Sequence, residues 1–218
     1  MYRKLFFELL RQSHSQYGED LIISEILKTK DIFYVDIGAN HPKKFNNTYF
    51  FYRHGSHGIN IEPNPYLLQQ YSTVRSGDTN LNIGISSKPS VMKFYQMYPD
   101  VNSTFSKSKY LHNLQHNSLL VDTPSIEVTT LSLLFDSYLP QRQTIDLLSI
   151  DTEGHDLTVL KSNNWQKYCP RLICVETQSD HSLHSYLLKL GYKQVHKTPI
   201  NSLYVQKSYS LFSLPTSL

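Results

Sequence analysis

Hydrophobic and polar positions follow two alternating rhythms along this chain. Residues 15–27, SQYGEDLIISEIL, place Leu21, Ile22, Ile26 and Leu27 on a helical stripe. This predicts a helix opening on Ser15, with Glu19 and Asp20 near its positive end. Residues 32–36, IFYVD, are β-branched and aromatic and read as a strand. They run into Gly38, Asn40 and Pro42, which are turn residues. The pattern then predicts a helix over 47–54, a strand over 59–62, a helix over 66–74 and a third strand over 81–85. The region 90–130 breaks the rhythm, with an extra strand over 91–97, a loop over 102–105 and a short helix over 110–116. Regularity returns with a strand over 125–130 and a helix over 131–138. A strand over 145–150 follows, then a helix from Asp156 to Lys161 and a strand over 172–176. A helix over 181–190, with Asp180 as its N-cap, precedes a terminal hairpin, 192–196 and 202–205, around TPIN.

Strands and helices alternate almost throughout, so the chain is expected to be α/β, with a mainly parallel sheet and helices on both faces. Its 218 residues fit one domain, with an N-terminal helical segment over 1–30. In such sheets ligands bind beyond the carboxyl ends of the strands. The residues just after each strand therefore carry the chemistry.

Composition narrows the function classes. Charged residues make up 18% and the formal net charge is +3, without a Lys/Arg block, so nucleic acid is not an expected partner. No run approaches the ~18 apolar residues of a membrane span. The basic start MYRKLFFELLR is interrupted by Glu8 and Arg11, unlike a signal peptide. Two cysteines, Cys169 and Cys174, make no disulfide framework, and a cytoplasmic location is expected.

The first strand ends in Asp36, Gly38 and Asn40, where glycine permits close backbone approach to a ligand. The G-x-G-x-x-G fingerprint is missing, which disfavours a dinucleotide oxidoreductase. Glu62 closes the second strand about 20 residues past the glycine loop, where a carboxylate can accept two ribose hydroxyls. Asn82, Gly84 and Ser86 follow as small or polar groups. The 145–150 strand releases Asp151, Glu153, His155 and Asp156 within six residues, and the next strand ends in Glu176. Neighbouring strand ends put Asp151 and Glu176 roughly 5–10 Å apart at the backbone, close enough to share a divalent cation or a reacting hydroxyl. Asp156 reads as a helix-start acid. His112 with His116, and His181 with His184, have metal-compatible spacing but no third ligand. Asn102, Ser103 and Thr104 either bond a sugar or form a turn.

The ordered motifs SQYGEDL, YVDIGAN, NNTYFFY, GINIEPNP, LLSIDTEGHDLTVL and ICVE closely resemble the FkbM-type methyltransferase family, across about 15–176. The resemblance implies a class I, Rossmann-like fold, S-adenosylmethionine (SAM) as cofactor, and O-methylation of a hydroxyl. The acceptors it implies are sugars of polysaccharides, glycolipids or natural products. It assigns Asp36, Gly38 and Asn40 to the first SAM loop, Glu62 to the ribose and Asn64 to the same pocket; Asn82 is a cofactor candidate from its strand end, where small or polar groups would admit a flat adenine. Gln16, Glu19 and Asp20 fall in the N-terminal motif and are expected to close the site. Asp151, Glu153 and His155 are the catalytic candidates, and Asp151 with Glu176 the Mg²⁺ candidates. The region 90–130 is expected to cover the acceptor. One departure is HPKK after DIGAN, where relatives often carry an acidic or glycine-containing turn. The rival reading is a non-catalytic SAM- or nucleotide-binding scaffold of the same fold.

Overall fold

The computed structural model describes residues 13–177 and 181–209. A seven-stranded sheet organises it, in the order β11-β12-β10-β9-β1-β2-β3. These strands are β1 (Phe33–Ile37), β2 (His57–Ile61), β3 (Thr79–Leu81), β9 (Leu147–Ile150), β10 (Leu172–Glu176), β11 (Tyr192–Lys197) and β12 (Asn201–Gln206). The five strands from β3 to β10 run parallel, and β12 pairs antiparallel with both β10 and β11. The expected parallel sheet and terminal hairpin are both present. Strand order reverses between β1 and β9, so their carboxyl ends diverge into a crevice.

Side-chain alternation sorts the core onto two faces. Phe33, Val35 and Ile37 of β1 join Leu148, Ile150, Ile173 and Val175 on one face. That face is covered by α5 (Leu131–Tyr138), α6 (Asp156–Lys161) and α7 (His181–Lys189), through residues such as Leu134, Val159 and Leu187. Tyr34, Leu147, Leu172 and Cys174 point the other way, onto Ile23 and Leu27 of α1 (Glu19–Leu27) and Phe50 and Phe51 of α2 (Tyr49–Arg53). α3 (Pro65–Val74) links β2 to β3.

Between β3 and α5 the chain builds a separate layer. β4 (Gly84–Ile85), β8 (Ser125–Thr129) and β5 (Ser90–Lys93) form a three-stranded sheet, and β6 (Gln96–Tyr98) pairs with β7 (Leu119–Asp122). A 3₁₀ turn, Asp100–Asn102, and α4 (Lys107–Gln115) lie between β6 and β7.

Three expectations need correction, and one strand is missed. α1 begins at Glu19, because Gly18 adopts φ 82° and breaks the helix, and the Ser15 hydroxyl bonds Asp20 instead. The expected third strand, 81–85, is two strands in two sheets. Asn82 turns the chain there by donating to the carbonyls of Glu62 and Pro63. The expected strand 91–97 is likewise β5 and β6. β7 escapes the pattern because all four of its residues are exposed. Asp180 lies outside the described residues. Among the described residues, no helix is long and apolar enough to cross a membrane.

Candidate active site

A cavity of about 290 Å³ opens over the carboxyl ends of β1, β2, β9 and β10. Ile37, Ile61 and Ile85 give it apolar walls, Gln16 and Ile200 border it, and residues 101–105 of the separate layer also line it.

One end is built around Glu62. The carboxylate is buried, and each oxygen accepts a backbone N–H at 2.7 Å: Oε2 from Asn40 and Oε1 from Asn64. These bonds fix the loops after β1 and β2 while leaving lone pairs free for further donors. Burial nonetheless pushes the Glu62 carboxyl up to about 7. Gly38 and Asn40 both have positive φ, 76° and 47°. Glycine is required at 38, since a Cβ there would stand 1.9 Å from the Asp151 carbonyl oxygen. The turn after β1 is thereby pressed against the turn after β9.

The other expected cofactor residues act behind this surface. Asp36 lies beneath the loop and accepts hydrogen bonds from Thr48 Oγ1 (2.9 Å) and Asn46 Nδ2 (3.4 Å). Asn64 caps α3 by accepting the Tyr66 N–H, and Asn82 holds the turn after Glu62. None of the three lines the cavity. Glu19 and Asp20 are fully buried clasps. Asp20 gathers Ser13, the His14 N–H and Ser15, while Glu19 accepts from the Tyr17 N–H, Thr198 Oγ1 and Asn201 Nδ2. Of the N-terminal motif, Gln16 alone reaches the cavity, held between these two anchors.

The opposite end is acidic. Asp151, Glu153 and Glu176 each offer a carboxylate oxygen within 4.8 Å of the others. Burial and mutual repulsion raise the pKa of Asp151 well above its usual value, and that of Glu176 to about 7. Glu153 sits at φ 51°, a left-handed conformation uncommon for a non-glycine residue. Its carboxylate pairs with Lys109 Nζ at 3.0 Å. His155 N-caps α6 and lies outside the cavity lining, its Nε2 3.2 Å from Ser86 Oγ. Burial lowers its pKa. Asp156 opens α6 and accepts both the Thr152 N–H and hydroxyl at 2.9 Å, an anchor for the turn. Asn102, Ser103 and Thr104 do line the cavity, and their side chains also make local bonds, to Ser118, the Met97 N–H and the Glu153 carbonyl. His116 bonds back to the His112 carbonyl, and His184 pairs with Tyr204.

Sequence reasoning missed several participants. Phe45, Val101 and Phe105 line the cavity from loops without periodic signal, and Phe94 from the stretch read as one strand over 91–97. Arg75 is fully buried, ion-paired with Asp78 at 2.8 Å and bonded to Tyr34, Thr48 and Asn46, so it braces the partners of Asp36. Its setting, VRSGD, reads as an exposed helix end.

The solved structure of methyltransferase FkbM from Methylobacillus flagellatus KT aligns at 16% identity and TM-score 0.49, over 81% of this chain and 44% of that one. MnmC2 from Aquifex aeolicus aligns at 11% identity and TM-score 0.38, over 90% of this chain and 60% of that one. The chain thus spans roughly half the length of these structures. No curated protein matches it. The Methyltransferase FkbM domain matches residues 36–194, from the first strand-end acid to the terminal hairpin. The chain belongs to the FkbM methyltransferase family.

Proposed function

We propose that the protein transfers the methyl group of SAM to a hydroxyl oxygen of a sugar or similar small molecule. The observation that carries this reading is the division of one cavity into two ends. Glu62 lies at the β2 side, the carboxylates of Asp151 and Glu176 at the β9 and β10 side, and Gly38 packs between them against Asp151.

The residues fit the cofactor. The free lone pairs of Glu62 suit the two ribose hydroxyls, and Ile37, Ile61 and Ile85 suit a flat base. When bound, SAM supplies a methyl already activated on a sulfonium. The protein's share is to orient the acceptor hydroxyl and take its proton. Asp151 is the proposed base, its proton affinity raised by burial and by Glu176 and Glu153. Glu153 holds the adjoining wall, and His155 steadies the turn from behind through Ser86. Positioning can contribute roughly 7–11 kcal/mol at best, and a base a factor of ~10²–10⁴.

A second reading gives Asp151 and Glu176 a divalent cation such as Mg²⁺, since three carboxylates form a hard oxygen donor set. Thermal shift and calorimetry with S-adenosylhomocysteine test the cofactor site. Transfer of labelled methyl from SAM to a panel of sugars, with and without EDTA, tests the rest. Full transfer after thorough chelation removes the metal reading. Binding without transfer across the panel favours the scaffold, and a shift with NAD(H) alone the oxidoreductase.

A further inference from the structure

The acid cluster has a partner of opposite charge that arrives from the separate layer. Lys109 stands in the first turn of α4 and places Nζ 3.0 Å from Glu153 Oε2, with both side chains largely shielded from solvent. The same segment grips Glu153 a second time, since Thr104 Oγ1 donates to the Glu153 carbonyl at 3.0 Å. The two grips are connected. The Ser106 N–H donates to Thr104 Oγ1 at 2.9 Å, and Ser106 Oγ accepts the Lys109 N–H to cap α4. Glu153 is therefore held by backbone and side chain together, in the left-handed conformation noted above. The charges of Glu153, Glu176 and Asp151 in turn favour the protonated form of Lys109.

We infer that Lys109 is the resident counter-cation of the Asp151–Glu153–Glu176 cluster, filling the charge role a divalent ion would otherwise take. Such a cluster invites a hard cation. An ammonium within contact of one of its carboxylates repels a second cation strongly at protein-like dielectric. Lys109 is a positioning residue. It neutralises Glu153, leaves Asp151 and Glu176 facing the cavity, and ties the acceptor-side segment to the reacting centre. Its effect on transfer rests on the methyltransferase reading, whereas the exclusion of cations does not.

The test is a Mn²⁺ titration of the full chain at neutral pH, followed by electron paramagnetic resonance of the free ion. Wild type and Lys109→Arg are expected to bind no Mn²⁺ below millimolar concentration. Lys109→Met is expected to bind one Mn²⁺ more than about tenfold more tightly, because the repelling charge is gone. Adding Glu176→Gln to that variant should abolish the gain. Lys109→Gln serves if the methionine variant fails to fold. Tight Mn²⁺ binding by wild type overturns the inference, and so does the absence of any gain in folded Lys109→Met and Lys109→Gln. S-adenosylhomocysteine calorimetry on the same samples separates the two readings: failure of every protein to bind it defeats the cofactor assignment and leaves the ion result standing.

Discussion

Glu62 accepts the Asn40 N–H at 2.7 Å, so the carboxylate that closes β2 also shapes the loop leaving β1. Its pKa is raised to about 7 by burial, and hydroxyl donors bind the ionised form. S-adenosylhomocysteine affinity is therefore expected to rise from pH 6 to pH 8. Glu62→Gln should lose at least about tenfold in affinity at pH 8, the loss of a charge-assisted bond, and flatten the pH profile. Calorimetry across that range checks both. A wild-type profile that falls with pH contradicts the role.

The acidic end has the opposite consequence for stability. Glu176 in the folded protein holds its proton up to about 7, against an ordinary 4.5. Between those values the native state binds more protons than the unfolded chain, so this group's contribution to stability falls as pH rises and levels off above 7. Glu176→Gln removes the effect. It should stabilise the protein by ~1–3 kcal/mol at pH 8 and by nothing at pH 4.5, at about 1.4 kcal/mol per pH unit. Urea melts of both proteins at the two pH values decide it.

Gly38→Ala places a methyl against backbone that has no freedom to yield, at a φ that alanine disfavours. A loss of at least ~2 kcal/mol is expected, with weakened S-adenosylhomocysteine binding in whatever folded protein remains. Wild-type stability and affinity in this variant would refute the packing of the two turns.

Arg75→Met leaves Asp78 without its cation in a site closed to solvent. Breaking a buried pair in this way costs about 3–5 kcal/mol. Denaturant unfolding measures it, and a change under 1 kcal/mol speaks against the network.

Glu19→Ala leaves Asn201 Nδ2 and the Tyr17 N–H without this acceptor, and Thr198 Oγ1 with only the longer bond to the Asn201 carbonyl. A destabilisation of ~1–3 kcal/mol is expected for the lost buried bonds, with weaker cofactor binding because Gln16 and Ile200 border the cavity on either side of the clasp. Unfolding and calorimetry of the variant report the two effects separately.

The sheet was legible because its strands alternate apolar and polar positions or lie fully buried, as in Phe33–Ile37. Turn chemistry marked Gly38 and Glu62, and strand order brought Asp151 and Glu176 to one cavity as expected. The separate layer was poorly read because β5, β6 and β7 are short, and β7 has no buried face to impose a period. Lys109 and Arg75 carried no local signal at all. Each matters through a partner distant in the chain or unexpectedly buried, which spacing cannot reveal. Conversely, Glu19 and Asp20 fall in the motif expected to close the site, and their carboxylates hold neighbouring backbone and side chains rather than lining the cavity.

The layer that faces the acidic end comes from one uninterrupted stretch, Gly84 to Thr129, entered and left through neighbouring strands β4 and β8. Its entry and exit points are thus fixed by a single ladder. Residues between β4 and β8 can therefore change in length or sequence while that ladder keeps Ile85 in the cavity wall.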